Sequence, residues 1–438
     1  MQNRVDDPLF RYRVYFTLAV SLFLLSIFKS ASPLAKPFSF VVSDGRYYYV
    51  YLPSLLLDGD LDFHNQICGH WETDLRGDIL RSRTELGYVR NKYPVGVALS
   101  IAPGFLAGHA AACFLHAAFG TDFVAPDGYS APYQLLSFLW ILVLGVLSLC
   151  LMDYLLNNCF GVAPALTLVA TLACWAGSPL LYYMLREPFM AHVVSGFWVN
   201  LCLVQLYILG RKYPLAEVTA GRLFALTAAF SMALICRPTN VFLAPFFVYV
   251  LSRLVRAGQL GRLARIAPAA LPGLAPLALQ ALVWRQMTGH WIFYSYGRVC
   301  FDWLHPAVWQ TLFSTRHGLF VWSPLLFLGA TGLCWRLASR LRRPEPFVLC
   351  ALLSLITLWY LNSAWPTWWF GDAFGARAFI EATVVFAAGL AFLFEQARSL
   401  PTAVRLTGWA LLAASVLGEL TLAGLYARGL ISHDGYLF

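Results

Sequence analysis

Long apolar runs alternate with short polar segments along almost the whole chain. The runs at 14–28, 133–152, 164–181, 193–209, 266–284, 319–335, 347–361, 378–394 and 406–426 have the length and composition of membrane-crossing helices, without the two-residue alternation of a half-buried strand. The run 223–251 carries Arg237, Pro238, Thr239 and Asn240 at its centre, and it predicts a hairpin of two shorter helices with Arg237 at the tip. Together the runs predict an all-α polytopic membrane protein with about eleven transmembrane helices. Lys and Arg cluster before residue 14 and around 211–222, 253–265, 336–343 and 398–405, and such clusters mark cytoplasmic ends. The N-terminus is then cytoplasmic, and residues 31–132 form a first extracytoplasmic loop. Within it, 95–119 is apolar enough to span, but the charge pattern requires it to return to the side it came from. Its Gly96, Pro103, Gly104 and Gly108 predict a re-entrant or interfacial pair of half-helices.

Composition sharpens this picture. Of 438 residues, 59% are hydrophobic, 16% aromatic and 12% charged, against roughly 25% charged in soluble domains. The chain therefore reads as one transmembrane domain, 1–438, with no separate soluble domain. Its net charge of +9 lies in clusters flanking the spans, so it reports orientation and excludes a nucleic-acid surface. The 10 cysteines fall mostly inside apolar runs and form no CxxC pair, which argues against a zinc site or a disulfide framework. Asp6 and Asp7 before the first run, and Pro33 after it, favour an uncleaved anchor over a signal peptide.

The chemistry concentrates at 41–63, where Asp44 and Arg46 follow the first run and Tyr47, Tyr48, Tyr49 and Tyr51 supply interfacial rings. The expected topology gathers Arg90, Lys92, Arg186, Glu187, His192, Arg237, Tyr294, Tyr296, Arg298, Arg316, His317, Asp372 and Arg377 on the same face. Charges in or beside membrane spans are costly, so each marks a candidate site. Many guanidinium groups around few carboxylates suit a phosphate-bearing ligand, and the carboxylates remain for acid–base work.

Several short motifs carry a resemblance. Asp44 directly after the first span, Lys92-Tyr93-Pro94, the REP element Arg186-Glu187-Pro188 and the RPT tip Arg237-Pro238-Thr239 stand with FSTRHGLFVWSPLL at 313–326 and WPTWWFGDAFGAR at 365–377. In combination they resemble the GT-C superfamily of integral-membrane glycosyltransferases, including bacterial relatives of protein O-mannosyltransferases and the aminoarabinose transferase of lipid A. The resemblance implies a GT-C-like helical bundle in the bacterial cytoplasmic membrane, with the site facing the periplasm. It also implies transfer of a sugar from a polyprenyl-phosphate donor to a glycan, glycolipid or protein acceptor, by inverting single displacement. Asp44 takes the place of the general base and Glu187 the second acid, where relatives hold a divalent metal ion between the two. Here Asp44 is followed by Gly45 and Arg46 and not by a second acid, which weakens the expectation of a metal. Lys92 and Arg237 are the candidates for the donor phosphate, with Arg298 and Arg377 behind them and Arg46, Arg186, His192, Tyr294 and Asp372 completing the binding set.

Plainer readings stand beside these. Asp44 can cap a helix, Glu187 can pair with Arg186, and Asp372 with Arg377. Asp58, Asp60 and Asp62 read as a turn around Gly59 before they read as a calcium loop. A transporter or lipid-linked-glycan flippase would use the same charges along a translocation path. A polysaccharide polymerase or ligase would also have a large outer loop, but later in the chain.

Overall fold

The computed structural model describes residues 2–30, 40–70, 82–212, 219–297, 299–343, 345–432 and 434. Arg298 and residues 71–81 of the first loop lie outside them. The long helices are α1 (Pro8–Ser30), α2 (Gly96–Phe119), α3 (Ala131–Tyr154), α4 (Pro164–Ala176), α5 (Pro179–Leu185), α6 (Ala191–Tyr207), α7 (Ala220–Cys236), α8 (Ala244–Arg256), α9 (Ala275–Thr288), α10 (Pro324–Ser339), α11 (Pro346–Ser363), α12 (Thr383–Ala397) and α13 (Thr402–Tyr426). No strand occurs among the described residues beyond one bridge between Arg83 and Val89. Nine helical stretches among them are long and apolar enough to cross a membrane, and the α4–α5 pair, bent by 67°, makes a tenth. The eleven expected spans divide differently, with 96–119 added to them and two others lost. Helix α7 is shorter than a full span at 17 residues, and the run at 319–335 is interrupted at Ser323 into a single turn, Leu319–Trp322, and α10.

The expected hairpin is present. Proline disfavours helical backbone in the residue before it; accordingly Arg237 is extended (φ −150°, ψ 117°), ending α7, and Pro238–Leu243 form a 3-10 turn leading into α8. Asn240 secures the tip by donating from Nδ2 to Ser195 Oγ (2.7 Å) in α6 and to Ala233 O (2.8 Å) in α7. Val250, further down α8, packs against Gly210 beyond the other end of α6. The tip therefore sits level with the start of α6.

The pair of half-helices expected at 95–119 is corrected to one continuous helix of 24 residues with Pro103 inside it. Its glycines serve close packing and not a break. A Cβ on Gly104 would lie 2.7 Å from Leu136 O, and one on Gly108 2.6 Å from the Tyr133 Cα. Small residues let two helix backbones approach in this way. Through this contact α2 runs antiparallel to α3, beginning beside α7 at Ile235 and ending at the level where α3 starts.

Helix α1 is tied to α3 by charge. Arg11, read from the sequence as part of a flanking basic cluster, is buried and donates from Nε and Nη2 to the two oxygens of Asp153, both at 2.8 Å. Tyr15 donates to the same carboxylate at 2.7 Å. The fork geometry and the third donor satisfy an acid that burial would otherwise make costly.

Candidate functional site

Three backbone features bring the site together. Ser43, Phe370 and His317 adopt left-handed conformations (φ 49°, 61° and 56°), which non-glycine residues hold only where the surroundings enforce them. Ser43 turns the chain so that Asp44 starts the short helix Gly45–Tyr49. A Cβ on Gly45 would meet Phe189 Cβ at 2.9 Å, so the lack of a side chain lets this helix lie against the segment carrying Glu187. Phe370 turns the 365–377 loop, and its carbonyl accepts a hydrogen bond from Arg377 Nη2 at 3.0 Å. His317 holds the same loop by donating from Nδ1 to Trp369 O at 2.7 Å. Burial lowers the pKa of its ring to about 4, so the neutral tautomer is present at neutral pH.

The centre is an ion pair. Arg377 Nη2 lies 3.3 Å from Asp44 Oδ2, with the two side chains 11% and 31% exposed. Asp44 occupies the helix-cap position but makes no capping hydrogen bond, so the capping reading is set aside. Asp372 is exposed and does not bond Arg377, so the expected local pair is not formed either. On one side of the pair the buried Tyr93 phenol faces Asp44; burial first, and the Asp44 charge second, push its pKa well above the ordinary tyrosine value. Lys92 Nζ extends over the rings of Tyr93 (5.0 Å) and Tyr296 (6.0 Å). On the other side Glu187 accepts from Tyr182 at 3.1 Å and bonds no arginine; the expected pair with Arg186 is absent. Burial pushes the Glu187 carboxyl up from the ordinary range, Arg377 opposes this, and Asp44 adds to it.

A second ionic group lies beyond Tyr48. Arg237 donates from Nη1 to both oxygens of Glu381, at 3.0 and 2.9 Å, and to His192 Nδ1 at 2.8 Å. His192 Nδ1 also lies 3.3 Å from Glu381 Oε1, so this ring nitrogen is shared between the guanidinium and the carboxylate. Glu381 is 2% exposed on its side chain. Sequence reasoning passed over it within the run 378–394, although a lone acid inside a span was itself the signal. Tyr48 stands between the groups, within the electrostatic reach of Tyr296, Arg237, Asp44 and Arg377.

The structure thus brings together Asp44, Lys92, Glu187, His192, Arg237 and Arg377. It leaves others apart. Tyr294 is 46% exposed and bonds the carbonyl of Val299. Arg186 is exposed and turns toward a groove behind Glu187. Arg46 buries its Nε without a hydrogen-bond partner. Asp58, Asp60 and Asp62 form the expected turn: Asp58 accepts from Asn65 and Gln66, and Asp60 from Ser54.

The arrangement does not suit a divalent ion held by Asp44 and Glu187. The Arg377 guanidinium is paired with Asp44 and faces Glu187, so a fixed cation already occupies the space between the two acids and offsets part of their charge. Among the described residues no group of three His, Cys, Asp or Glu side chains could complete a coordination shell.

No protein-family model and no curated protein matches the chain. Solved structures do. The Archaeoglobus fulgidus oligosaccharyltransferase in its apo form aligns with a TM-score of 0.55 at 13% identity, covering 98% of this chain and 56% of that one. The oligosaccharyltransferase AglB of the same organism, in complex with an inhibitory peptide and a dolichol-phosphate, aligns with a TM-score of 0.50 at 13% identity and the same coverages. ArnT from Cupriavidus metallidurans, bound to undecaprenyl phosphate, aligns with a TM-score of 0.49 at 16% identity, over 97% of this chain and 76% of that one. The chain spans only about half the length of the oligosaccharyltransferases. It is an all-α protein with helices long and apolar enough for several membrane spans, and its fold is that of these oligosaccharyltransferase structures.

Proposed function

We propose that this protein is a glycosyltransferase that moves a sugar from a polyprenyl-phosphate carrier to an acceptor hydroxyl at the extracytoplasmic face of the membrane. The observation that carries this reading is the Asp44–Arg377 pair: a partly exposed carboxylate, held by one nitrogen of a mostly buried guanidinium, with Lys92 over the neighbouring Tyr93 ring and Arg237 beyond Tyr48. Such a group suits a general base next to a phosphate leaving group. Asp44 Oδ1 or Oδ2 accepts the proton of the acceptor hydroxyl as its oxygen forms the bond to the anomeric carbon. The bond from that carbon to the carrier phosphate breaks, and its electron pair leaves on the phosphate oxygen. A single displacement of this kind inverts the anomeric centre. Lys92 is placed for the phosphate over the Tyr93–Tyr296 edge, and Arg237, anchored by Glu381 and His192, supports it from deeper in the bundle. Arg377 orients Asp44, and Glu187, which accepts from Tyr182, adds its charge on the other side of Arg377. Helix α2, starting at this site and ending level with the start of α3, returns the chain to the face it left.

The test is incubation of the purified protein with a panel of polyprenyl-phosphate sugars and a crude acceptor extract, with detection of released polyprenyl phosphate. Release with at least one donor supports the reading. Transport of intact lipid-linked sugar across a vesicle membrane, without release, favours a flippase instead.

A further inference from the structure

A groove of about 380 Å³ lies between α1, the α4–α5 bend and α13, lined by Leu22, Leu181, Leu185, Leu420 and Ala423. Its aliphatic wall suits hydrocarbon. Its rim does not: Arg186 and Arg428 both line it, both are exposed, and neither is paired with an acid among the described residues. Two guanidinium groups at the end of an apolar groove match a lipid whose headgroup carries a phosphate. Inside, Glu419 lines the groove at 2% exposure, and neither of its carboxylate oxygens has a hydrogen-bond partner, although the Ser323 hydroxyl is close. A buried polar group left in this state calls for a donor such as a ligand hydroxyl or amide.

The groove is also joined to the reaction centre. Tyr182 lines it and donates its hydroxyl to Glu187. Phe374 lines it from the loop that carries Arg377, and Arg186 directly precedes Glu187. It therefore opens on the Glu187 side of the Asp44–Arg377 pair, whereas Lys92 and Tyr296 stand on the Tyr93 side. Single displacement requires the entering oxygen and the leaving phosphate on opposite faces of the anomeric carbon. With the carrier phosphate at Lys92, the entering hydroxyl comes from the groove.

We infer that this groove seats the acceptor, and that the acceptor is a lipid with a phosphate-bearing headgroup whose hydroxyl reaches Asp44. The inference rests on the glycosyltransferase reading, and binding can be read without turnover. The full chain in nanodiscs is titrated with dioctanoyl phosphatidic acid, with and without saturating undecaprenyl phosphate. The expected result is one saturable site that persists when undecaprenyl phosphate is bound. Arg186→Glu and Arg428→Glu should each weaken the probe at least about tenfold, as loss of a charged hydrogen-bonding partner does. Gly424→Trp places a ring in the groove at a position where a Cβ meets nothing within 4 Å. It should abolish probe binding and leave undecaprenyl phosphate binding unchanged, while Lys92→Ala does the reverse. Displacement of the probe by undecaprenyl phosphate, or full probe affinity in Gly424→Trp, overturns the assignment. A wild type that transfers sugar but binds no probe overturns the lipid seat alone. One that binds the probe but transfers no sugar overturns the reaction and keeps the lipid seat.

Discussion

Arg377 offers the sharpest perturbation of the site. Its Nη2 stands 3.3 Å from Asp44 Oδ2 and 3.0 Å from Phe370 O. At an effective dielectric constant of about 20, two unit charges at that separation attract by about 5 kcal/mol. Asp44 is 31% exposed, so solvent screens part of this, and burying the guanidinium offsets more. A net contribution of about 2–3 kcal/mol is in keeping with hydrogen bonds to charged groups. If that energy holds Asp44 in its reactive orientation, Arg377→Ala lowers kcat by roughly 30- to 150-fold. Arg377→Lys keeps the charge but on a shorter, more strongly hydrated group in place of the Nη2 that serves both Asp44 and the Phe370 carbonyl, so it should fall between the wild type and the alanine variant. The assay is release of polyprenyl phosphate at saturating donor, with carrier binding and thermal unfolding measured in parallel. A loss confined to KM, or a kcat within about threefold of the wild type in a folded Arg377→Ala protein, refutes the argument.

Three further outcomes follow from the same geometry. Glu381→Ala leaves the Arg237 guanidinium without its buried counter-charge and should destabilise the protein by about 3–5 kcal/mol, read as a lowered unfolding temperature; an unchanged temperature contradicts the buried pair. The Glu187 pKa is raised, chiefly by burial, so its carboxylate form, whose charge faces Arg377, is lost as pH falls through a range above that of an ordinary carboxyl. Activity should therefore decline on the acid side in that range, and Glu187→Gln, slower at neutral pH, should shift that limb downward; an unmoved limb removes Glu187 from the scheme. Because Arg377 supplies the fixed cation beside Asp44, prolonged treatment with EDTA should leave the transfer rate unchanged, and a loss restored by magnesium or manganese contradicts that assignment.

The periodicity of apolar residues was enough to place most of the bundle, since each long run has a physical requirement for helix in a bilayer. The break at Arg237 was equally legible, because Pro238 restricts its neighbour whatever surrounds it. Helix α2 was misjudged for the opposite reason: Gly104 and Gly108 look like breaks in isolation, and only the approach of α3 shows them to be packing positions. The site was legible residue by residue but not pair by pair. Asp44 and Arg377 are 333 positions apart, so no local spacing could join them, and each had a nearer partner to suggest in the capping and Asp372 readings. Glu381 was missed because hydropathy absorbs a single acid into an apolar run. The pairing of Arg11 with Asp153 was not legible, because a basic residue at a helix start fits the orientation rule equally well whether it faces water or a buried acid.

Asp44 is the base of the proposed reaction. The most direct measurement is single-turnover release of polyprenyl phosphate by Asp44→Asn, with donor binding and folding measured on the same sample. The expected result is a folded protein that still binds the carrier and whose release rate falls by roughly 10²- to 10⁴-fold, the usual contribution of a positioned base. Release at the wild-type rate from that variant contradicts it.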